Sequence, residues 1–319
     1  MVMTDIRKYY LGIDLGGTFI KGGIVDGEGN ILLRDKVPTE SEKGVDGVAD
    51  HIVALCRSLM EKANLSVSDF VGIGLGVPGT VDSERGEVVD ANNLGWENVS
   101  IADRLSEMIG LPVKIANDAS LAALGEANFG CGKEYRNSVM ITLGTGVGGG
   151  ILLDGKLFEG NRSAGAELGH TVIAAGGEPC TCGRRGCLEA YASATALIRD
   201  TKRAMEKNPE SKLWEIGALD AVTGKTAFDY CEQDKTAREV VDRYIEMLGV
   251  GIVNIANLIR PEVVILGGGV CAEGEQLLRP LREMLKREIY GGEKGPAMEI
   301  VTAQLGNDAG LLGAAALFM

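Results

Sequence analysis

Positive charge is in short supply: 32 Lys and Arg stand against 45 Asp and Glu in 319 residues, a formal charge of −13. A field of that sign repels phosphate backbones and anionic membrane surfaces, so neither a nucleic acid nor a membrane is expected as a partner. No apolar run approaches the ~18 residues of a transmembrane helix. The opening MVMTDIRKYYLGIDLGG has neither the apolar segment nor the small-residue cleavage site of a secretion signal, which makes a cytoplasmic location the expectation. The chain also lacks low-complexity stretches and runs of like charge, so its parts are expected to be joined by structured elements and not by a tether. The Walker A pattern, GxxxxGK followed by Ser or Thr, is missing, which excludes a P-loop fold.

What is present fits an ordinary globular protein, with 45% hydrophobic and 24% charged residues. A single hydrophobic core stops growing somewhere near ~250 residues, so this length predicts two domains. Seven cysteines, an odd number without an export signal, disfavour a disulfide framework and direct attention to their spacing.

From Tyr9 the sequence YYLGIDLGGTFIKGGIVDGEGNILLRDKV reads as three short strands with tight glycine turns. A helix over Val45 to Ala63 is predicted from Val48, Ile52, Leu55 and Leu59 at helical spacing. FVGIGLGVPG has the continuous apolar character of a buried strand and is followed by a helix at Ile101 to Ile109 and the strand VKIAND. A polar, cysteine-containing stretch ends near Leu188; helical sequence then runs through Lys207 and again from Ala237 to Leu258. VVILGGGV is a further strand, and VTAQLGNDAGLLGAAALFM closes the chain as strand, turn and apolar helix. Strands alternating with helices predict an α/β class.

IDLGGTFIKGGIVDG, starting at Ile13, aligns without a gap on ITLGTGVGGGILLDG, starting at Ile141. Both carry an apolar strand, a glycine turn, a second strand and an Asp-Gly turn, so two lobes built on one plan are expected. In the first copy Asp14 is followed by Gly16, Gly17 and Thr18; in the second, Gly144, Thr145 and Gly146 occupy the turn. Glycines there let backbone N–H groups approach phosphate oxygens, and Asp14 suits a divalent metal, directly or through water. The competing reading of either loop by itself is a tight hairpin turn. Gly267, Gly268 and Gly269 form a third glycine junction after a strand, where a helix N-terminus favours an anion or lets a nucleotide base lie against the backbone.

His170, Cys180, Cys182 and Cys187 place four nitrogen and sulfur donors in a short segment, a set that suits tetrahedral zinc with no position left for a catalytic water. The alternative is a group of unrelated thiols beside a surface histidine. Cys56, Cys131, Cys231 and Cys271 read as small buried residues, and His51, the second of only two histidines, as a helix-face residue. Glu167 and Glu189 flank the proposed ligands and could accept hydrogen bonds from the hydroxyls of a small molecule. Asn117 and Asp118 close a strand and open a helix; Asp118 is therefore either a helix N-cap or a carboxylate at the strand end, where α/β active sites lie.

The segments DLGGTFIKGGIVD, VPGTVD, NLGW, NDASLAALGE, ITLGTGVGGGILLDGKLFEGNRSAGAELGH and CTCGRRGCLE resemble the ROK (repressor, open reading frame, kinase) family, and within it the bacterial glucokinases. The resemblance runs from about Tyr9 to the C-terminus. It implies a two-lobed actin-like, ribonuclease H-like α/β fold with an active-site cleft between the lobes, one lobe being 1–117 plus 304–319 and the other 118–303 with the zinc site. It implies an ATP-dependent hexose kinase, most similar to glucokinase. In that reading Asp118 is the general base, and Gly79, Asn93, Asn117, Glu167, His170 and Glu189 are at the sugar. Asp14 positions Mg²⁺, with Lys21 and the glycine residues at 16–18, 144–146 and 267–269 at the nucleotide. N-acetylmannosamine, fructose or another hexose are alternative substrates, and polyphosphate an alternative donor. A homodimer or dimer of dimers is implied. The repressor branch of the family carries a helix-turn-helix ahead of the kinase-like body, and only eight residues here precede the first expected strand.

Overall fold

A computed structural model describes residues 8–319. The expectation for the first seven residues, that they carry no export signal and no DNA-binding helices, lies outside the described residues.

The chain opens with β1 (Tyr9–Leu15), β2 (Phe19–Val25) and β3 (Ile31–Pro38), the meander predicted from its glycine punctuation. Helix α1 (Gly44–Lys62) turns Val48, Ile52, Leu55 and Leu59 onto the sheet, and all four are buried, as 3.6-residue periodicity requires. Then follow β4 (Phe70–Val77), β5 (Thr80–Asp82), β6 (Glu87–Ala91), β7 (Trp96–Val99), α2 (Ile101–Ile109), β8 (Val113–Asn117) and α3 (Asp118–Phe129). Continuing, β9 (Ser138–Leu143), β10 (Val147–Leu153) and β11 (Lys156–Phe158) lead to the helices α4 (Glu189–Ala192), α5 (Ala194–Lys207), α6 (Thr226–Tyr230) and α7 (Lys235–Ile259). The chain closes with β12 (Val263–Gly267), α8 (Glu275–Glu288), β13 (Glu299–Thr302) and α9 (Ala309–Ala316).

Two five-stranded sheets form, in the orders β3-β2-β1-β4-β8 and β11-β10-β9-β12-β13. In each, a meander supplies one half and parallel strands the other: β1, β4 and β8 run parallel, as do β9, β12 and β13. The repeat at Ile13 and Ile141 is thus a repeat of a whole sheet. This is the two-lobed, actin-like and ribonuclease H-like α/β plan expected from the sequence. A small third sheet, β5-β6-β7, is an addition that the sequence reading left out.

By contact the chain groups into two compact units, one running to Arg136 with Gly150–Ala166 and Gln304–Met319, the other comprising Asn137–Gly149 and Glu167–Ala303. Residues 118–136 and 150–166 group with the first unit, whereas the sequence-based boundaries placed them in the second. The reason for α3 is its packing: a Cβ on Gly125 would run into the Ala309 carbonyl oxygen, and one on Gly313 into that of Leu121, so α3 and α9 touch backbone to backbone. The fully buried Glu126 adds hydrogen bonds from the backbone N–H groups of Gln304 (2.8 Å) and Leu305 (2.7 Å) to its Oε1. In the first unit Leu11, Ile13, Ile20, Ile24, Ile52, Leu55 and Ile73 are sealed from solvent; each such side chain is worth about 1.5–3 kcal/mol of apolar burial.

Candidate functional site

In the first unit, β1 and β2 set Asp14 directly opposite Lys21, and the Lys21 ammonium donates to Asp14 Oδ2 at 3.2 Å. The turn between them is closed by Gly16 N–H donating to the Phe19 carbonyl (3.0 Å), leaving Gly17 and Thr18 exposed. A residue absent from the sequence reading holds this turn: buried Thr39 donates its hydroxyl to the Gly16 carbonyl (2.6 Å) and its N–H to that of Thr18 (2.9 Å). Asn93, exposed before β7, lies against Gly17, since a Cβ there would be 3.8 Å from that of Asn93. A Cβ on Gly310, in the first turn of α9, would be 3.7 Å from Asp14 Cγ.

The carboxylate at the end of β8 has a clear local arrangement. Asn117 is the N-cap of α3, its Oδ1 accepting from Ala119 N (2.9 Å) and Ser120 N (3.3 Å) while its Nδ2 donates to the Gly79 carbonyl (3.0 Å). Asp118 is then the first helical residue, exposed, its Oδ1 also within 2.9 Å of the Ala119 N–H. Capping, the competing reading of Asp118, is carried mainly by its neighbour. Gly79 has φ +94° and no room for a Cβ beside the Asp90 carbonyl, so glycine is required where it presents its own carbonyl to Asn117.

The second unit repeats the glycine turn. Gly144 N–H donates to the Gly146 carbonyl (3.0 Å), and again a threonine outside the turn clamps it, Thr195 Oγ1 donating to the Thr145 carbonyl (2.7 Å). Glu189, at the start of α4, accepts from Val147 N at Oε2 (3.1 Å) and from Thr181 Oγ1 at Oε1 (2.7 Å), with Cys180 Sγ at 3.5 Å. The sequence pattern gave no sign that Glu189 ties the glycine turn to the cysteine loop. Glu167 is exposed and precedes a 3₁₀ turn, Leu168–His170, closed by His170 N–H donating to the Glu167 carbonyl (3.1 Å).

The donor atoms of His170, Cys180, Cys182 and Cys187 all lie within 4.8 Å of one another. His170 Nδ1 is 3.6 Å from Cys180 Sγ, and the Cys182 and Cys187 sulfurs are 3.8 Å apart. A tetrahedron of ~2.3 Å Zn–S bonds has edges of about 3.8 Å, so the spacing fits that metal. The other cysteines are free, and burial pushes the Cys56 and Cys271 thiols up to about 12. His51 Nε2 is 3.3 Å from Glu40 Oε2 on the α1 surface.

At the third glycine junction, Gly268 has φ +93°, and a Cβ there would enter the Leu143 backbone at the end of β9. Gly267 is buried; Gly268 and Gly269 are exposed and lead into a 3₁₀ turn ending at Glu273. Beside that turn is a cavity of about 560 Å³, lined by Phe228, Asp229, Glu232, Gln233, Glu273 and Gln276. Burial raises the Glu273 carboxyl, and its Oε1 has no hydrogen-bond partner. None of these six residues carries a recognisable spacing, because α6, α8 and the 3₁₀ turn meet only in the fold. No helix among the described residues is long and apolar enough to cross a membrane.

The ROK family matches residues 10–319 of the chain. The glucokinase of Streptomyces coelicolor is 40% identical over 314 residues, which span 96% of this chain and 96% of that protein. The crystal structure of a ROK family glucokinase from Streptomyces griseus in complex with glucose and AMPPNP is similar with a TM-score of 0.78 at 37% identity, covering 97% of this chain and 98% of that one. A ROK hexokinase from Thermus thermophilus gives a TM-score of 0.80 at 34% identity, covering 97% of both chains. Relatives named xylose repressors are more distant; that of Bacillus subtilis is 28% identical over 313 residues, 98% of this chain and 77% of its own.

Proposed function

Since the chain belongs to the ROK family, we propose that it is an ATP-dependent glucose kinase in which Asp118 accepts the proton of the attacking sugar hydroxyl. The observation that carries this reading is the division of labour at the start of α3: Asn117 caps the helix and Asp118 presents an exposed carboxylate at the end of β8. Phosphoryl transfer asks little covalent chemistry of a protein, so positioning and charge neutralisation dominate.

In the two clamped glycine turns the N–H groups of Gly16 and Gly144 close the turns, and those of Gly17, Thr18, Thr145 and Gly146 serve the phosphates of ATP, with Lys21 adding a cation. Asp14 would hold Mg²⁺, directly or through water, and the ion would neutralise charge on the transferring phosphates. The Gly267–Gly269 junction and the cavity beside Glu273 suit the nucleoside, whose exocyclic amine and ribose hydroxyls are donors for its amides and carboxylates.

Glu167, Glu189, Asn93, Asn117 and His170 serve the sugar hydroxyls, with Gly79 lining their site. His170 bonds the sugar through Nε2 while Nδ1 faces the cysteines. One Zn²⁺ on His170, Cys180, Cys182 and Cys187 would be structural, since four protein ligands fill the tetrahedron. By the same resemblance the protein works in the cytoplasm as a homodimer or dimer of dimers.

A sugar-responsive repressor is disfavoured by the charge of −13, which opposes DNA, and by the exposed Asp118. The test is a hexose panel in a coupled ADP-release assay. Glucose is expected to give the highest kcat/KM; preference for N-acetylmannosamine or fructose would reassign the substrate, and no ADP release with any sugar would reject the kinase.

A further inference from the structure

The segment that leads into Glu167 is conformationally expensive. Arg162, Ser163 and Ala166 have φ of +50°, +54° and +61°, all in the left-handed region that a Cβ disfavours. Such a run persists only where surrounding interactions over-determine it.

Those interactions come from the small third sheet. Asp82, ending β5, has a side chain only 1% exposed and accepts from Arg162 Nε at 2.9 Å. Next to it, Ser83 donates its hydroxyl to Glu159 Oε2 (2.8 Å) and stands 2.7 Å from the Ser163 hydroxyl, which also accepts from Ser83 N (3.2 Å). The hydroxyl protons therefore run in one direction, Ser163 to Ser83 to Glu159. Gly165 N–H closes the segment on the Glu159 carbonyl at 2.7 Å. Arg162 also holds the Asp82 carboxyl below the usual carboxylate range.

Glu167 is exposed, so little packing of its own fixes its direction. On its C-terminal side His170 is one of the four clustered donors; on its N-terminal side lies the pinned stretch 159–166. We propose that the Asp82–Arg162 ion pair, with Ser83 and Ser163, is a latch that positions Glu167 for the sugar. The inference rests on the reading of Glu167 as a sugar-binding residue and adds positioning residues at the end of β5 and in the strained segment.

Kinetics of Arg162→Ala test it, because Arg162 is half exposed and its loss spares the core. The sugar kcat/KM is expected to fall about tenfold while the KM for ATP stays within about twofold, with Arg162→Lys recovering part of the loss. Arg85→Ala is the control: Arg85 Nε is 3.9 Å from Asp82 Oδ2, at the limit of an ion pair, and Arg85 follows β5 and is not part of the strained segment, so neither parameter should move. Glu167→Gln runs in parallel. If it lowers sugar kcat/KM and Arg162→Ala does not, the latch is wrong and the sugar reading stands; if Glu167→Gln is silent, the sugar reading fails and the latch falls with it. Equal losses toward sugar and ATP together with a lowered Tm would mark Arg162 as a general stabiliser and also overturn the latch.

Discussion

The hydroxyl of Thr39 donates to the carbonyl oxygen of Gly16 at 2.6 Å, at a position sealed from solvent. That bond and the one from Thr39 N–H to the Thr18 carbonyl hold two peptide groups of the turn proposed for the phosphates. Thr39→Val keeps the shape and removes the donor, leaving the half-buried Gly16 carbonyl without that partner, a loss of about 1 kcal/mol. The expected outcome is a raised KM for ATP with sugar KM unchanged, and recovery in Thr39→Ser. A Thr39→Val enzyme with normal ATP kinetics would remove the clamp from the mechanism.

Asp118→Asn preserves size and the hydrogen bond to Ala119 N while abolishing the base. Turnover should drop by about 10²–10⁴-fold, the usual worth of a positioned general base, with sugar affinity measured by calorimetry nearly unchanged. Near-normal turnover would assign proton acceptance elsewhere.

The four clustered donors predict about one zinc per chain by elemental analysis of purified protein. Chelation should lower Tm and weaken sugar binding together, because His170 and Glu189 sit on the loop that the metal would fix. Substoichiometric metal in fully active protein would leave that loop to its hydrogen bonds alone.

Acid should loosen the segment before Glu167. The Asp82 carboxyl is held below its ordinary value by its hydrogen bond to Arg162, so the pair's contribution is complete above the unfolded value near ~3.9 and disappears as pH falls through the lower folded value. A Tm-against-pH series should show that acid-side slope in the wild type and a shallower one in Arg162→Ala. Parallel slopes would mean the pair does not report on stability.

Much of this was legible in the chain itself wherever chemistry is local. The run FVGIGLGV announces β4, the bounds of α2 follow from its amphipathic face and its terminal Gly110, and the four metal donors sit close in sequence. The doubled glycine turn was legible too, because a tight turn between two strands constrains residue type. Features made by distant segments were not. Thr39 clamps Gly16 from the end of β3, the strands β5 to β7 are too short to show alternation, and α8 carries Pro280 within its span, which breaks the helical signal. The cavity beside Glu273 draws on three elements that only tertiary packing unites.

Glu126 ties the order of assembly to the residues that reach it from far along the chain. Its buried carboxylate receives the N–H groups of Gln304 and Leu305, and Gly12 and Gly74 of the first sheet leave a bed for Leu311 and Ala314. During synthesis the strands of that sheet leave the ribosome long before the residues that cover it. The unit begun first therefore stays incomplete until the second unit has been made, and its apolar bed stays open to chaperones until α9 has emerged.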